Sequence, residues 1–248
     1  MTGLRLLCGI LTISVAVILL LGARLAFPDV FRGSPSHVDG VAISSKAKPR
    51  IGVLGDSDSQ SYHDRLLIGV DPNARGGKYQ SRTYQWTEVL DQLRGSQISS
   101  GSWNSWGTGK YQAYFEEAIG RLARTPPKED YQYNYAISGA VCNELMQHSE
   151  RQANRLVDLM DTEAPDWRGG VIVIRIGVND IGTHDSMDEL AQDPNSMHIS
   201  QLIESCITNI GEAVTLIRER HPETYILLVG VLNNADYPGF FDSWPRVP

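Results

Sequence analysis

Positive charge is in short supply in this chain. It has 22 Lys and Arg against 29 Asp and Glu, a formal net charge of -7, and the cations are scattered among acids rather than gathered in a stripe. Nucleic-acid affinity depends on clustered Lys and Arg, so the composition argues against a nucleic-acid partner. Internal repeats and low-complexity tracts are absent as well. The 248 residues suit one globular α/β domain with room for extra segments. Cysteine is scarce, with three residues. Cys8 lies too near the start, with Leu7 before it, to be a lipid attachment site. Cys142 and Cys206 remain. An oxidising compartment would let them pair, but sequence does not place them within disulfide range. Cys206 shares a helical face with Ile203 and Ile210, which reads as a small buried hydrophobe.

Charge is missing altogether from Leu6 to Ala23, a Leu/Ile/Val-rich run flanked by Arg5 and Arg24. Its length of about 18 residues is short for a membrane span and long for a signal-peptide core. Every face is apolar, unlike a helix of a soluble domain. A small-residue cleavage site is poorly formed, because Ala23-Arg24-Leu25-Ala26 holds an arginine and a leucine. The expectation is an uncleaved signal anchor over residues 1–26, with a cleaved signal peptide as the alternative. Either exports the rest to the periplasmic or extracellular face. Residues 27–49 hold Pro28, Gly33, Pro35, Gly40 and Pro49 without hydrophobic periodicity, which marks a linker. A domain over residues 50–248 follows.

Within it, Ile51 to Leu54 reads as a strand and residues 83–93 as a helix, with Trp86, Val89, Leu90 and Leu93 on one face. Residues 95–130 lose the pattern and read as an insertion with one helix, about 112–122, stopped before Pro126-Pro127. Trp103, Trp106, Tyr111, Tyr114 and Phe115 in it read as a satellite core first, and as a sugar- or acyl-binding surface second. A strand is expected at 132–137, a long polar helix at 143–160, and a β-branched strand buried on both faces at 171–176. A helix at 200–218 and a strand at 225–231 close the pattern. This alternation implies a parallel sheet with right-handed crossovers and helices on both faces.

Three predicted strands end in small polar clusters: Gly55-Asp56-Ser57, Ser138-Gly139 and Gly177-Val178-Asn179-Asp180. Parallel strands present their carboxyl ends on one side of a sheet, where ligands bind in open α/β folds. A nucleophilic serine needs a base for its proton and donors for the developing oxyanion. Ser57 supplies a hydroxyl and a backbone N–H, Gly139 an unobstructed N–H, and Asn179 a neutral amide without the cost of a buried charge. In order and strand context these blocks resemble the SGNH (GDSL-like) hydrolase superfamily: Gly55-Asp56-Ser57 its first block, Gly139 its glycine, Gly177-x-Asn179-Asp180 its third. The resemblance spans roughly residues 50–231. It implies a flavodoxin-like three-layer α/β/α sandwich and a metal-independent serine esterase or deacylase. Ser57, Gly139 and Asn179 would line the oxyanion hole, and the substrate would be an acetylated glycan, a short-chain ester or a lipid.

One block is lacking. The family's Asp-x-x-His, which supplies base and orienting acid, does not occur downstream of Asn179. The expectation is a domain incomplete at its C-terminus and a chain of little or no turnover. His63, followed by Asp64, and His184, followed by Asp185, are the substitutes considered, with surface roles preferred for both; His148 and His221 read as solvated. Asp56 reads as a turn stabiliser. Two rivals remain. Asp56-Ser57-Asp58 is also an Asp-x-Asp at a strand end, as in haloacid-dehalogenase-like phosphatases with Mg²⁺. The missing base supports the other, a membrane-tethered module of the same fold that binds a ligand without turning it over.

Overall fold

The computed structural model describes residues 48–67 and 77–231. The expected anchor, nearly all of the linker and the closing residues from 232 lie outside the described residues. Among the described residues no helix is long and apolar enough to cross a membrane.

Strand β1 (Ile51–Gly55) leads through a polar loop and a 3-10 turn (Gly77–Arg82) to helix α1 (Trp86–Arg94). Strand β2 (Trp103–Trp106), helix α2 (Lys110–Ala118) and strand β3 (Lys128–Tyr131) follow, then a 3-10 turn (Cys142–Leu145) and helix α3 (Gln152–Thr162). After a further 3-10 turn (Ala164–Trp167) come strand β4 (Val171–Arg175), the short helix α4 (Val178–Ile181), helix α5 (His184–Gln192), helix α6 (Met197–Arg220) and strand β5 (Tyr225–Leu228).

The central sheet is parallel in the order β1-β4-β5, with Ile51 opposite Val171 and Val171 opposite Tyr225. On the free side of β1, residues 133–137 run parallel to it. The Val53 N–H donates to the Tyr133 carbonyl (2.9 Å), the Tyr135 N–H to Val53 (2.8 Å) and the Ile137 N–H to Gly55 (3.0 Å). Counting this segment, the spatial order of the parallel strands is second, first, third, fourth. That is the flavodoxin-like order, whose switch point lies beside the first strand.

One face of the sheet carries Leu54, Ile172 and Ile174, packed in a continuous core with Leu156, Val157 and Met160 of α3 and Ala213 and Ile217 of α6. Each such fully buried aliphatic side chain contributes about 1.5–3 kcal/mol. On the other face Ile51 and Val53 share one small gap with Trp86, Thr87 and Leu90 of α1. Helices thus cover both faces of a parallel sheet, the three-layer α/β/α arrangement.

Several local expectations are corrected. The insertion holds an antiparallel pair as well as a helix: β2 lies against β3, Trp103 opposite Tyr131, with α2 between them in sequence. Its aromatics do not form a satellite core, for Tyr111 is 86% and Phe115 64% exposed. The helix expected over 143–160 is broken, because His148 (φ 59°) and Arg151 (φ 36°) take left-handed conformations that end a right-handed helix. Its apolar positions Leu145, Leu156, Val157 and Met160 are nonetheless buried. Helix α5 was not expected; Thr183 caps it by accepting the Ser186 N–H.

Candidate active site

Gly55 is dictated by the approach of two backbones. A Cβ there would lie 2.2 Å from the Arg175 carbonyl oxygen of β4, so no larger residue fits. Its peptide is fixed from α3: the Gly55 N–H donates to Gln152 Oε1 (2.8 Å), and Gln152 Nε2 donates back to the Gly55 carbonyl (2.9 Å). Asp56 is 1% exposed and folds the turn that follows. Its carboxylate accepts the Asp58 N–H (2.8 Å), and its carbonyl accepts those of Ser59 (3.0 Å) and Gln60 (3.1 Å). The turn leaves Ser57 half-buried beyond the carboxyl end of β1, with its carbonyl accepting from Gln85 Nε2 (3.1 Å). Among the described residues the Ser57 hydroxyl makes no hydrogen bond.

The second block sits beside the first. Two residues past Ile137, itself bonded to Gly55, Gly139 adopts φ 84° in a turn closed by the Ala140 N–H on the Ile137 carbonyl (3.0 Å). That left-handed conformation strains any residue with a Cβ. Gly139 is exposed, and its N–H has no partner among the described residues. The third block begins two residues past Arg175, which pairs with Gly55 on the other side. Asn179 Nδ2 donates to the Ala140 carbonyl (2.9 Å), leaving its second amide hydrogen available. The adjacent Asp180 carboxylate accepts the Cys142 N–H (3.0 and 3.2 Å). Burial raises the Asp180 carboxyl above its ordinary range, an effect partly offset by the Cys142 N–H and its own. The Ser138 N–H donates to Gln60 Oε1, which ties the Gly139 turn to the Ser57 loop. Register and hydrogen bonds therefore bring all three blocks to one end of the sheet.

A family model described as GDSL-like Lipase/Acylhydrolase matches residues 94–246, more than half of the chain. The chain belongs to the GDSL-like lipase/acylhydrolase family. It is a family of ester hydrolases, and its α/β/α fold is the one described above. The matched span contains Gly139 and Asn179 and starts downstream of Ser57. A comparison with curated proteins finds no match.

In this GDSL-like chain, Asp56 is consumed by its turn, and Asp58 pairs with Arg175 through Oδ2 (3.1 Å). Both carboxylates of the Asp-x-Asp thus have structural contacts. His63 has a carboxylate behind it: its Nδ1 lies 2.5 Å from Oε1 of Glu88, which is nearly buried. Glu88 also accepts the N–H groups of Tyr62 (3.1 Å) and Gln85 (2.7 Å). His184 starts α5. His221, expected to be solvated, is 6% exposed, with Nε2 3.1 Å from Asp161 Oδ1. His148 lies in a loop before α3 rather than on a helix.

Sequence reasoning missed the residues that hold the site. Gln152, Gln60 and Gln85 are neutral amides with no motif around them. Lys128 and Asp130 form a buried ion pair (2.9 Å) that also takes Ser61 Oγ on Asp130 Oδ1 (2.8 Å) and gives Lys128 Nζ to the Ala136 carbonyl (2.5 Å). Burial lowers the Lys128 ammonium to about 8 against the pull of Asp130.

Cys142 and Cys206 are joined in a disulfide with Cα atoms 4.9 Å apart, which corrects the reading of Cys206 as a plain hydrophobe. The helical spacing that suggested burial gave no sign of the partner, 64 residues away. With Asp180 the pair forms the one cluster among the described residues with metal-ligand spacing, its donor atoms within 4.8 Å of one another. Thiolates are the ligands metals take from cysteine, and both sulfurs here are spent on each other.

Proposed function

We propose that this chain is a serine esterase or deacylase in which Ser57 attacks the carbonyl carbon of a carboxylic ester. The Ser57 and Gly139 backbone N–H groups and the Asn179 side-chain amide would receive the tetrahedral oxyanion. The attack forms an acyl-enzyme and expels the alcohol; water then releases the acid. The observation that carries this reading is the pairing of Ser57's loop with two uncommitted donors, the Gly139 N–H and the second hydrogen of Asn179 Nδ2, at one end of a parallel sheet. Pre-aimed donors of this kind contribute about 2.7–4 kcal/mol each to the transition state. Acetylated glycans, short-chain esters and lipids are the substrate classes proposed. Attachment to a membrane through residues 1–26, facing the periplasm or exterior, is proposed from the apolar run alone.

No histidine among the described residues accepts a hydrogen bond from the Ser57 hydroxyl, so the nucleophile of this chain is proposed to be slow at neutral pH. A dilute exogenous base then becomes a useful reagent. The test is hydrolysis of p-nitrophenyl acetate with EDTA present, with and without added imidazole, in the wild type and in Ser57→Ala. Slow, imidazole-stimulated hydrolysis that Ser57→Ala removes is the expected result. Identical rates in both proteins at every imidazole concentration would leave a ligand-binding module as the better reading. Hydrolysis of p-nitrophenyl phosphate abolished by EDTA would favour the phosphatase.

A further inference from the structure

The Cys142–Cys206 disulfide takes no part in the proposed chemistry, yet it touches the supports of both protein donors outside the Ser57 loop. Cys142 is three residues beyond Gly139, and its N–H is held by the Asp180 carboxylate, next to Asn179. Asn179 in turn holds the carbonyl of Ala140, the residue after Gly139. Both sulfurs face Gly177, two residues before Asn179: a Cβ built there would be 3.4 Å from Cys206 Sγ and 3.8 Å from Cys142 Sγ, ordinary van der Waals distances. Cys206 belongs to α6, a helix of 24 residues seated in the core through Ala213 and Ile217. The disulfide is therefore a covalent tie between the Gly139 turn and that helix, and the Asn179 turn joins it through the Asp180 and Asn179 hydrogen bonds.

We propose that the disulfide is a positioning element for the Gly139 and Asn179 donors, so that the redox state of Cys142 and Cys206 sets how well the oxyanion is received. The proposal rests on the esterase reading. A dithiol reductant supplies two electrons and two protons, closes into its own cyclic disulfide, and leaves the chain with two thiols in place of the S–S bond. The Asp180 contact to the Cys142 N–H then holds the 139–142 turn without covalent help. A donor displaced by about 1 Å loses much of its effect on the transition state, whereas ground-state binding of the ester barely depends on it.

The test compares the oxidised 248-residue chain with the chain reduced by dithiothreitol, the gain of two thiols confirming reduction and circular dichroism confirming that it stays folded. Two readouts are taken, amide hydrogen exchange over residues 138–142 and the kinetics of p-nitrophenyl acetate hydrolysis. The proposal expects faster exchange in that segment and a fall in kcat of about tenfold to a hundredfold with KM little changed. Cys206→Ala should show the lowered kcat from the start and no longer respond to reductant. Unchanged exchange over 138–142 after confirmed reduction overturns the proposal, as does an unchanged kcat in a Ser57-dependent reaction. If hydrolysis proves independent of Ser57, the esterase reading has failed, and the exchange experiment still decides whether the disulfide holds the turn.

Discussion

At the scale of single residues, the site is made of side chains whose jobs differ although their types look alike. Asp56, Asp58 and Asp64 follow the same strand within a few positions, and all three are committed to holding the loop. Asp56 takes the Asp58 N–H, Asp58 takes Arg175, and Asp64 takes the N–H groups of Leu66, Leu67 and Glu129. Asn179 is different, because one of its amide hydrogens is spent on Ala140 and the other is not. Asn179→Ala is therefore expected to lower kcat by roughly 10²–10³-fold, the loss typical of one oxyanion donor, with little change in KM. Steady-state kinetics on a Ser57-dependent ester reaction would show the split. A proportionate rise in KM with unchanged kcat would instead mean that Asn179 binds the ground state.

At the scale of elements, strands and their ends were legible and their supports were not. The runs at Ile51–Gly55 and Val171–Arg175 announce themselves by β-branched and apolar residues between turn residues, and both are strands in the structure. In place of the strand expected over 132–137, the segment 133–137 bonds to β1 and makes only the isolated bridge Val53–Asn134. The break between Leu145 and Gln152 was invisible, because the left-handed residues that cause it are His148 and Arg151 rather than glycine. Hidden too were Gln152, Gln60 and Gln85, which make contacts far off in sequence: Gln152 reaches Gly55 across 97 residues, Gln60 reaches Ser138 across 78, and Gln85 reaches Ser57 across 28. Local pattern carries the period of a strand or helix and cannot carry such pairings. The turn at Gly139 yields a prediction at this scale. A Cβ there meets nothing within 4 Å, so Gly139→Ala should fold, at a cost of about 1–2 kcal/mol from the positive φ alone. Thermal unfolding would measure it, and a loss far above that range would mean that the turn is packed rather than merely strained.

At the scale of the whole molecule, the buried pair Lys128–Asp130 joins strand β3 to the Ser57 loop and to the 133–137 segment. Asp130 also accepts from Ser61 and from Asn134 Nδ2 (3.1 Å). Lys128→Met removes one charge and leaves the other buried, which should cost about 3–5 kcal/mol in chemical denaturation. The pH dependence has a definite sign. The folded chain holds the Lys128 proton to about 8, against an ordinary value of 10.5, so the unfolded chain binds more protons between those values. The Lys128 contribution to stability accordingly rises with pH through that window and is lost as pH falls through about 8. Wild type minus Lys128→Met should show this slope between pH 8 and 10.5; a flat difference would mean that the ammonium is not desolvated.

Ser57 is the group proposed to carry the acyl chemistry of this member of the GDSL-like family. The most direct measurement is the rate of p-nitrophenyl acetate hydrolysis, in EDTA and across an imidazole titration, for the wild type against Ser57→Ala. The expected result is a metal-independent rate that grows with imidazole in the wild type and falls to the solution background in the variant. Equal rates for the two proteins throughout the titration would contradict it.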